Sequence, residues 1–251
     1  MTTLFVADPW DVHARSAAWG LEKLGEPSVF WYTHDFPQKH SASVEIDSRP
    51  AAQPADLDLY CARSYRAFNV RDIDAIWLRR WYHPSASSDL HPADTKFAKG
   101  EAGEYVRSMM DVLDLDDRFW INPLQAKRRA DRKAVQLMQA KAVGLTIPQT
   151  LLSNDPQRIR EFFKANNGRV IYKSYVPASW TKDGRLYSTF TSPLNEALLE
   201  HDITLSQAPG IYQALVDKAY ELRITVMGRS IFASRIDSQQ DGYYLTDWRA
   251  N

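Results

Sequence analysis

Residues 210–237, GIYQALVDKAYELRITVMGRSIFASRID, carry the reading that decides the fold. Ile211 to Val216, Glu221 to Met227 and Ser230 to Ile236 are rich in β-branched and aromatic residues and read as strands. Only Gly228 and Arg229 separate the last two, which suits a tight hairpin turn. Strand alternation sends Leu222, Ile224 and Val226 to one face of that hairpin and Glu221, Arg223 and Thr225 to the other. Two opposite charges then share a face, as an ion pair on a solvated strand or as part of a binding surface.

Working back from this β-rich end, Arg169 to Tyr175 reads as a strand that carries Lys173 among apolar neighbours. A lysine there is exposed, paired, or held by a phosphate. Gly184 marks a turn, Leu186 to Phe190 is β-rich again, and a short helix around Asn195 to Glu200 completes a small α+β unit. A helix from Lys133 ends at Gly144, and another opens after Asn154 or Asp155. Further upstream, Leu4 to Ala7 reads as a strand. Ala14, Ala17, Ala18, Leu21 and Leu24 recur at helical spacing, and Ser28 to Tyr32 returns to β. Strand-like Ala75 to Leu78 follows a polar, Pro-bearing stretch. Ala102, Tyr105, Val106, Met109, Met110 and Leu113 then mark one apolar helix face before the short run Phe119 to Ile121.

The class is therefore α/β with α+β elements. The basic, apolar-poor stretch from Lys127 to Lys133 suggests a boundary near residue 125. The expected division is 1–125, 126–210 and 211–251.

The 251 residues hold 31 basic and 31 acidic side chains, so no net field draws the chain to nucleic acid or an anionic membrane surface. No apolar run approaches the length of a bilayer span, and the opening residues do not read as a signal segment, so a soluble cytoplasmic protein is expected. The single cysteine, Cys61, excludes an intrachain disulfide and reads as a plain thiol. His13, His34, His40, His83, His91 and His201 are scattered without metal-ligand spacing, so no histidine metal site is expected. Glycine-rich phosphate loops and the nucleophile elbow G-x-S-x-G are absent as well.

Taken in order, several blocks resemble one family. The blocks RKAVQLMQAKAVGLTIPQTLLSND (132–155), VIYKSY (170–175), residues 210–237 and DWRAN (247–251) are similar to the ATP-grasp enzymes that mature graspetides of the microviridin type. IWLRRW (76–81) and FWINP (119–123) match that family's first domain. The resemblance implies an ATP-grasp fold made of an N-terminal pre-ATP-grasp α/β domain (1–125), a lid or central subdomain (126–210) and the start of a C-terminal lobe (211–251). That lobe is expected to be incomplete.

The resemblance also implies an ATP-dependent carboxylate–amine or carboxylate–hydroxyl ligase. It would use ATP and Mg²⁺ on acidic side chains of a ribosomal precursor peptide, through an acyl phosphate. On this resemblance Lys133 and Lys173 hold the phosphates from two sides, and Gln213, Ala214 and Leu215 form the segment along the adenine edge. Glu221 meets the ribose with Arg223 beside it, and Arg249 and Asn251 touch the phosphates. The metal-binding carboxylates are expected beyond the chain end, since Asp237, Asp241 and Asp247 lack the family's spacing, and no metal ligand is assigned within the chain. Arg79 and Arg80, at the end of a first-domain strand, either meet an acidic substrate or form a solvated strand end. The partners implied are ATP and a peptide or carboxylate substrate, with neither nucleic acid nor membrane; a homodimer is allowed. A non-catalytic module that binds nucleotide or peptide is the alternative.

Overall fold

The computed structural model describes residues 1–45, 56–61, 66–81, 83–115, 117–176, 178–239 and 246. The chain divides into two compact units, Met1–Ala130 and Asp131–Asn251. Arg249, Asn251, Asp241, Asp247 and the Cys61 side chain lie outside the described residues.

The first unit begins with β1 (Thr3–Ala7), α1 (Val12–Lys23) and β2 (Ser28–Tyr32). It continues through β3 (His40–Glu45), β4 (Asp56–Cys61), β5 (Arg66–Asn69) and β6 (Ala75–Leu78), and ends with α2 (Pro92–Leu113), β7 (Phe119–Ile121) and α3 (Leu124–Ala130). β2, β1, β6 and β7 form, in that order, a parallel sheet. Every residue of β1 is buried because helices cover both faces of the sheet, which is why that strand is apolar without alternation. On one face Leu4, Val6, Trp31, Ile76 and Leu78 pack with Val106, Met109, Met110 and Leu113 of α2, the face expected from helical spacing. On the other, Phe5 and Ala7 meet Ala14, with Ala17, Ala18 and Leu21 of α1 around them.

The Asp11 carboxylate caps α1 by accepting from the N–H groups of His13 and Ala14, each at 3.0 Å. β3, β4 and β5 make a separate antiparallel sheet within the stretch whose composition reads as polar connection. The basic residues Lys127 to Arg129 are helical, in α3, where Arg128 pairs with Asp111 at 2.7 Å.

The second unit comprises α4 (Lys133–Ala142), β8 (Thr150–Ser153), α5 (Pro156–Ala165) and β9 (Val170–Lys173). β10 (Ser179–Lys182), β11 (Arg185–Ser188), β12 (Ser192–Pro193), α6 (Glu196–Leu199) and α7 (Asp202–Gln207) follow. β13 (Gly210–Ala214), β14 (Glu221–Met227) and β15 (Ser230–Ile236) come last. The order β12-β9-β13-β8 makes an antiparallel sheet. α4 ends as expected at Gly144, whose φ of 83° is open to glycine. Gly144 N–H donates to Lys141 O and Leu145 N–H to Ala140 O, the paired bonds that close a helix through a left-handed residue. β10 and β11 form a hairpin around Asp183 and Gly184, both at positive φ, and β14 and β15 form another around Gly228.

One face of the four-stranded sheet is core. Leu151, Val170, Tyr172 and Tyr212 point to the helices and pack with Ile159 of α5, Leu199 of α6 and Leu205 of α7. Burial, with Tyr172 alongside, pushes the Tyr212 phenol up to about 12. Gly210 opens β13 where only a glycine fits under the Tyr172 ring: a Cβ there falls 2.4 Å from Tyr172 Cε2. Gly210→Ala is therefore expected to cost about 1–3 kcal/mol, the range for overpacking, because the Tyr172 ring, packed against Tyr212, must shift to make room. A lowered denaturation midpoint with unchanged slope checks this.

Candidate functional site

Consecutive residues of a strand face opposite ways, so the residues between those core positions appear on the other face of the four-stranded sheet. There the register pairs Gln213 with Ile171 on one side and Thr150 on the other, and Ile211 with Lys173 and Leu152. A cleft of about 720 Å³ opens over this face, within the range of small-ligand sites. Its walls include Lys133, Gln136, Leu137 and Ala140 of α4, Lys173, Ile211 and Gln213 of the sheet, and Tyr175 and Phe190 next to the β10–β11 hairpin. The structure thus brings Lys133, Lys173 and Gln213 to one cavity.

Lys133 is the first residue of α4, and its Nζ lies 3.5 Å from Gln136 Oε1. The preceding Arg132 supplies no side-chain cap. The first turn of α4 therefore keeps its N–H groups uncapped by that residue, and a cation stands where the helix dipole favours an anion. That placement costs local stability and suits a negatively charged ligand. Lys173, on β9, donates to Gln213 Oε1 at 2.7 Å. Gln213 is only 6% exposed, and its Nε2 donates to Thr150 Oγ1 at 2.9 Å. Thr150 in turn donates to Pro148 O at 2.9 Å. Thr150 escaped the reading of the sequence; the signal that could have found it is its position as a polar residue at the start of a strand next to apolar Leu151 and Leu152.

Ala214 and Leu215 continue from Gln213 but do not line the cavity. Their N–H groups donate to Gln149 O and Arg169 O, each at 2.9 Å. Glu221 and Arg223 also lie outside its walls. Glu221 is held by Lys218, three residues before it, and accepts from Ser238 Oγ at 3.2 Å. The ion pair expected between Glu221 and Arg223 is therefore formed by Lys218 instead. Arg223 is exposed, opposite Ser234 in the hairpin.

Arg79 and Arg80 belong to the first unit, just past the carboxyl end of β6. Both backbone N–H groups reach Val6 O, and Arg79 Nε is 3.6 Å from the buried Asp11 carboxylate. Chain order reverses between β1 and β6, and open α/β sheets bind ligands beyond the strand ends at such a reversal.

Neither a protein-family model nor any curated protein matches the sequence. Solved structures do. A RiPP-associated ATP-grasp ligase from Chryseobacterium gregarium, in complex with ADP and a leader and core peptide, is 26% identical with a TM-score of 0.83. The match covers 99% of this chain and 73% of that one. Macrocyclase MdnC from Microcystis aeruginosa MRC, bound with precursor peptide MdnA, matches at 23% identity and a TM-score of 0.84, over 96% of this chain and 76% of that one. The ATP-grasp ligase PsnB, complexed with minimal precursor, Mg and ADP, matches at 22% identity and a TM-score of 0.61, over 92% of this chain and 71% of that one. With its α/β first unit, its small antiparallel sheet and these likenesses, the chain has the fold of the ATP-grasp ligases and is similar to RiPP-associated members of that group.

Proposed function

We propose that this chain is an ATP-dependent ligase that joins an acidic side chain of a precursor peptide to an amine or hydroxyl of the same peptide. The observation that carries the reading is the convergence of Lys133, Lys173 and Gln213 on one cleft over the sheet. The phosphates would lie between the two ammonium groups. Phosphoryl transfer needs positioning and charge neutralisation above all, which two separated cations supply.

The backbone of Gln213, Ala214 and Leu215 would follow the edge of the base. Because Ala214 and Leu215 spend their N–H groups on neighbouring segments, carbonyl oxygens would do that reading. Glu221, with Arg223 near it in sequence, is the candidate for the ribose, and Arg79 and Arg80 for the acidic side chain of the peptide. Arg249 and Asn251 keep the phosphate role that the family resemblance implies. Residues 1–125 would be the pre-ATP-grasp domain, residues 126–210 the lid subdomain and 211–251 part of the C-terminal lobe.

In the first step a peptide carboxylate oxygen attacks the γ-phosphorus and ADP leaves, giving an acyl phosphate. An amine or hydroxyl then attacks the acyl carbon, phosphate departs with the C–O bonding pair, and the nucleophile loses a proton. The net product is an amide or ester. Magnesium, when bound, neutralises phosphate charge, and the phosphates themselves supply many of its ligands. Among the described residues no group of three or more His, Cys, Asp or Glu is placed to hold the ion.

The chain carries no net charge, which favours a peptide partner over nucleic acid. Among the described residues no helix is long and apolar enough to cross a membrane.

The test is a coupled assay for ADP with short peptides rich in Asp, Glu, Lys and Thr, followed by mass spectrometry. MgATP-dependent ADP release together with loss of one water per bond formed is the expected result. Absence of both, with peptides that bind, would remove the ligase reading.

A further inference from the structure

The side chains that hold Lys173 have a fixed polarity. Pro148 O can only accept, so the Thr150 hydroxyl spends its single proton there, at 2.9 Å. Thr150 Oγ1 must then accept from Gln213, which settles the amide with Nε2 toward Thr150 at 2.9 Å and Oε1 toward Lys173 Nζ at 2.7 Å. The three residues stand on β8, β13 and β9, adjacent strands of one sheet, on the face that lines the cleft. Thr150 is directly opposite Gln213, whereas Lys173 is the diagonal neighbour, two residues beyond Ile171. Gln213 is almost wholly buried, so water competes little for either end of its amide.

A neutral acceptor is chemically suited to this position. An amide oxygen aims an ammonium while leaving its positive charge intact, whereas a carboxylate of the same shape would cancel much of it.

We infer that the side chains of Thr150 and Gln213 are positioning groups that orient the Lys173 ammonium toward an anionic ligand in the cleft, acting through Lys173 and not through side-chain contacts of their own with the ligand. The inference rests on reading the cleft as the nucleotide site.

Calorimetric titration with MgATP of the full chain, alongside thermal melting, tests it. Thr150→Val and Gln213→Met remove the relay without changing side-chain bulk greatly, and each weakens MgATP binding about 3- to 10-fold. Gln213→Glu keeps the shape but places an anion against the lysine, and weakens binding by more than either. Thr150→Ser restores the hydroxyl and retains affinity. The decisive comparison is with Lys173→Ala: in that background Thr150→Val has no further effect, because the relay has nothing left to orient.

If Thr150→Val and Gln213→Met bind MgATP like the unaltered chain while Lys173→Ala does not, the relay is overturned and the nucleotide reading stands. Equal losses from Thr150→Val with and without Lys173 also overturn the relay, since they mark a purely structural role. Undiminished binding by Lys173→Ala removes the nucleotide reading itself, and the relay with it.

Discussion

Lys173→Ala should lower MgATP affinity by about 2–3 kcal/mol, or roughly 30- to 150-fold, while leaving the melting temperature nearly unchanged. The size follows from deleting a charge-assisted bond to phosphate, worth about 1.5–3 kcal/mol, in a cleft where Gln213 already holds the donor in place. Stability is spared because the lysine is on the cleft face of β9, away from the cluster around Tyr212. Its bond to Gln213 is lost too, so a stability change of up to about 1 kcal/mol is compatible. Added salt should narrow the difference between the two proteins, since part of the lysine's contribution is screened charge attraction. Calorimetry at two ionic strengths, with melting curves on the same samples, checks all of these. Equal affinities at low salt would contradict the role given to Lys173.

The opposite pattern is expected at Ile159. This residue has no exposed surface and is the one buried side chain of α5, enclosed by Val170, Leu194, Leu199, Leu205 and Tyr212. Ile159→Ala removes the anchor that holds the helix to the sheet and leaves a cavity that its branched and aromatic neighbours can only partly fill. A loss of about 3–4 kcal/mol is expected, against about 1 kcal/mol for Ile159→Val. That is a large share of the 5–15 kcal/mol typical of a folded domain. Urea titration of both variants provides the measurement. Where the alanine variant remains folded, MgATP affinity should match that of the unaltered chain, because Ile159 lies on the far face of the sheet from the cleft. A destabilisation below about 1 kcal/mol would show that α5 contributes little to holding the sheet.

These opposed expectations come from two kinds of sequence information. The α2 face, the α4 terminus at Gly144 and the β14–β15 hairpin were legible because each depends on neighbours a few residues away: a 3.6-residue spacing, a glycine at positive φ, a two-residue turn. β10 was harder to see. Ser179 to Lys182 carries a single aromatic, Trp180, and its strand character comes from stacking on Tyr187 across the Asp183–Gly184 turn, a cue read only as a turn. The β3–β4–β5 sheet went unseen although Ala42 and Val44, and Leu57 and Leu59, alternate with polar residues: the apolar residues are few, the runs are short, and the polar, Pro-bearing composition around them masks the period of two.

The site shows the same division. That Lys173 must be exposed or paired followed from its apolar neighbours, but its partner Gln213 is 40 residues away, and only folding reveals it. Lys133 could be tied to Lys173 only by likeness to a family. Glu221 and Arg223 share one strand face, yet Lys218, three residues before Glu221 and outside the strand, takes the carboxylate. Alternation ranks residues within a strand but says nothing about the loop that enters it.

β13 performs two duties on alternate residues, with Tyr212 turned to the helices and Ile211 and Gln213 turned to the cleft. Point substitutions can therefore tune either duty with little effect on the other. Insertion or deletion of a single residue within the strand would exchange them, driving an amide into the apolar interior and a phenol toward the ligand. Change at this strand is thus open to amino-acid replacement and closed to a change of length by an odd number of residues.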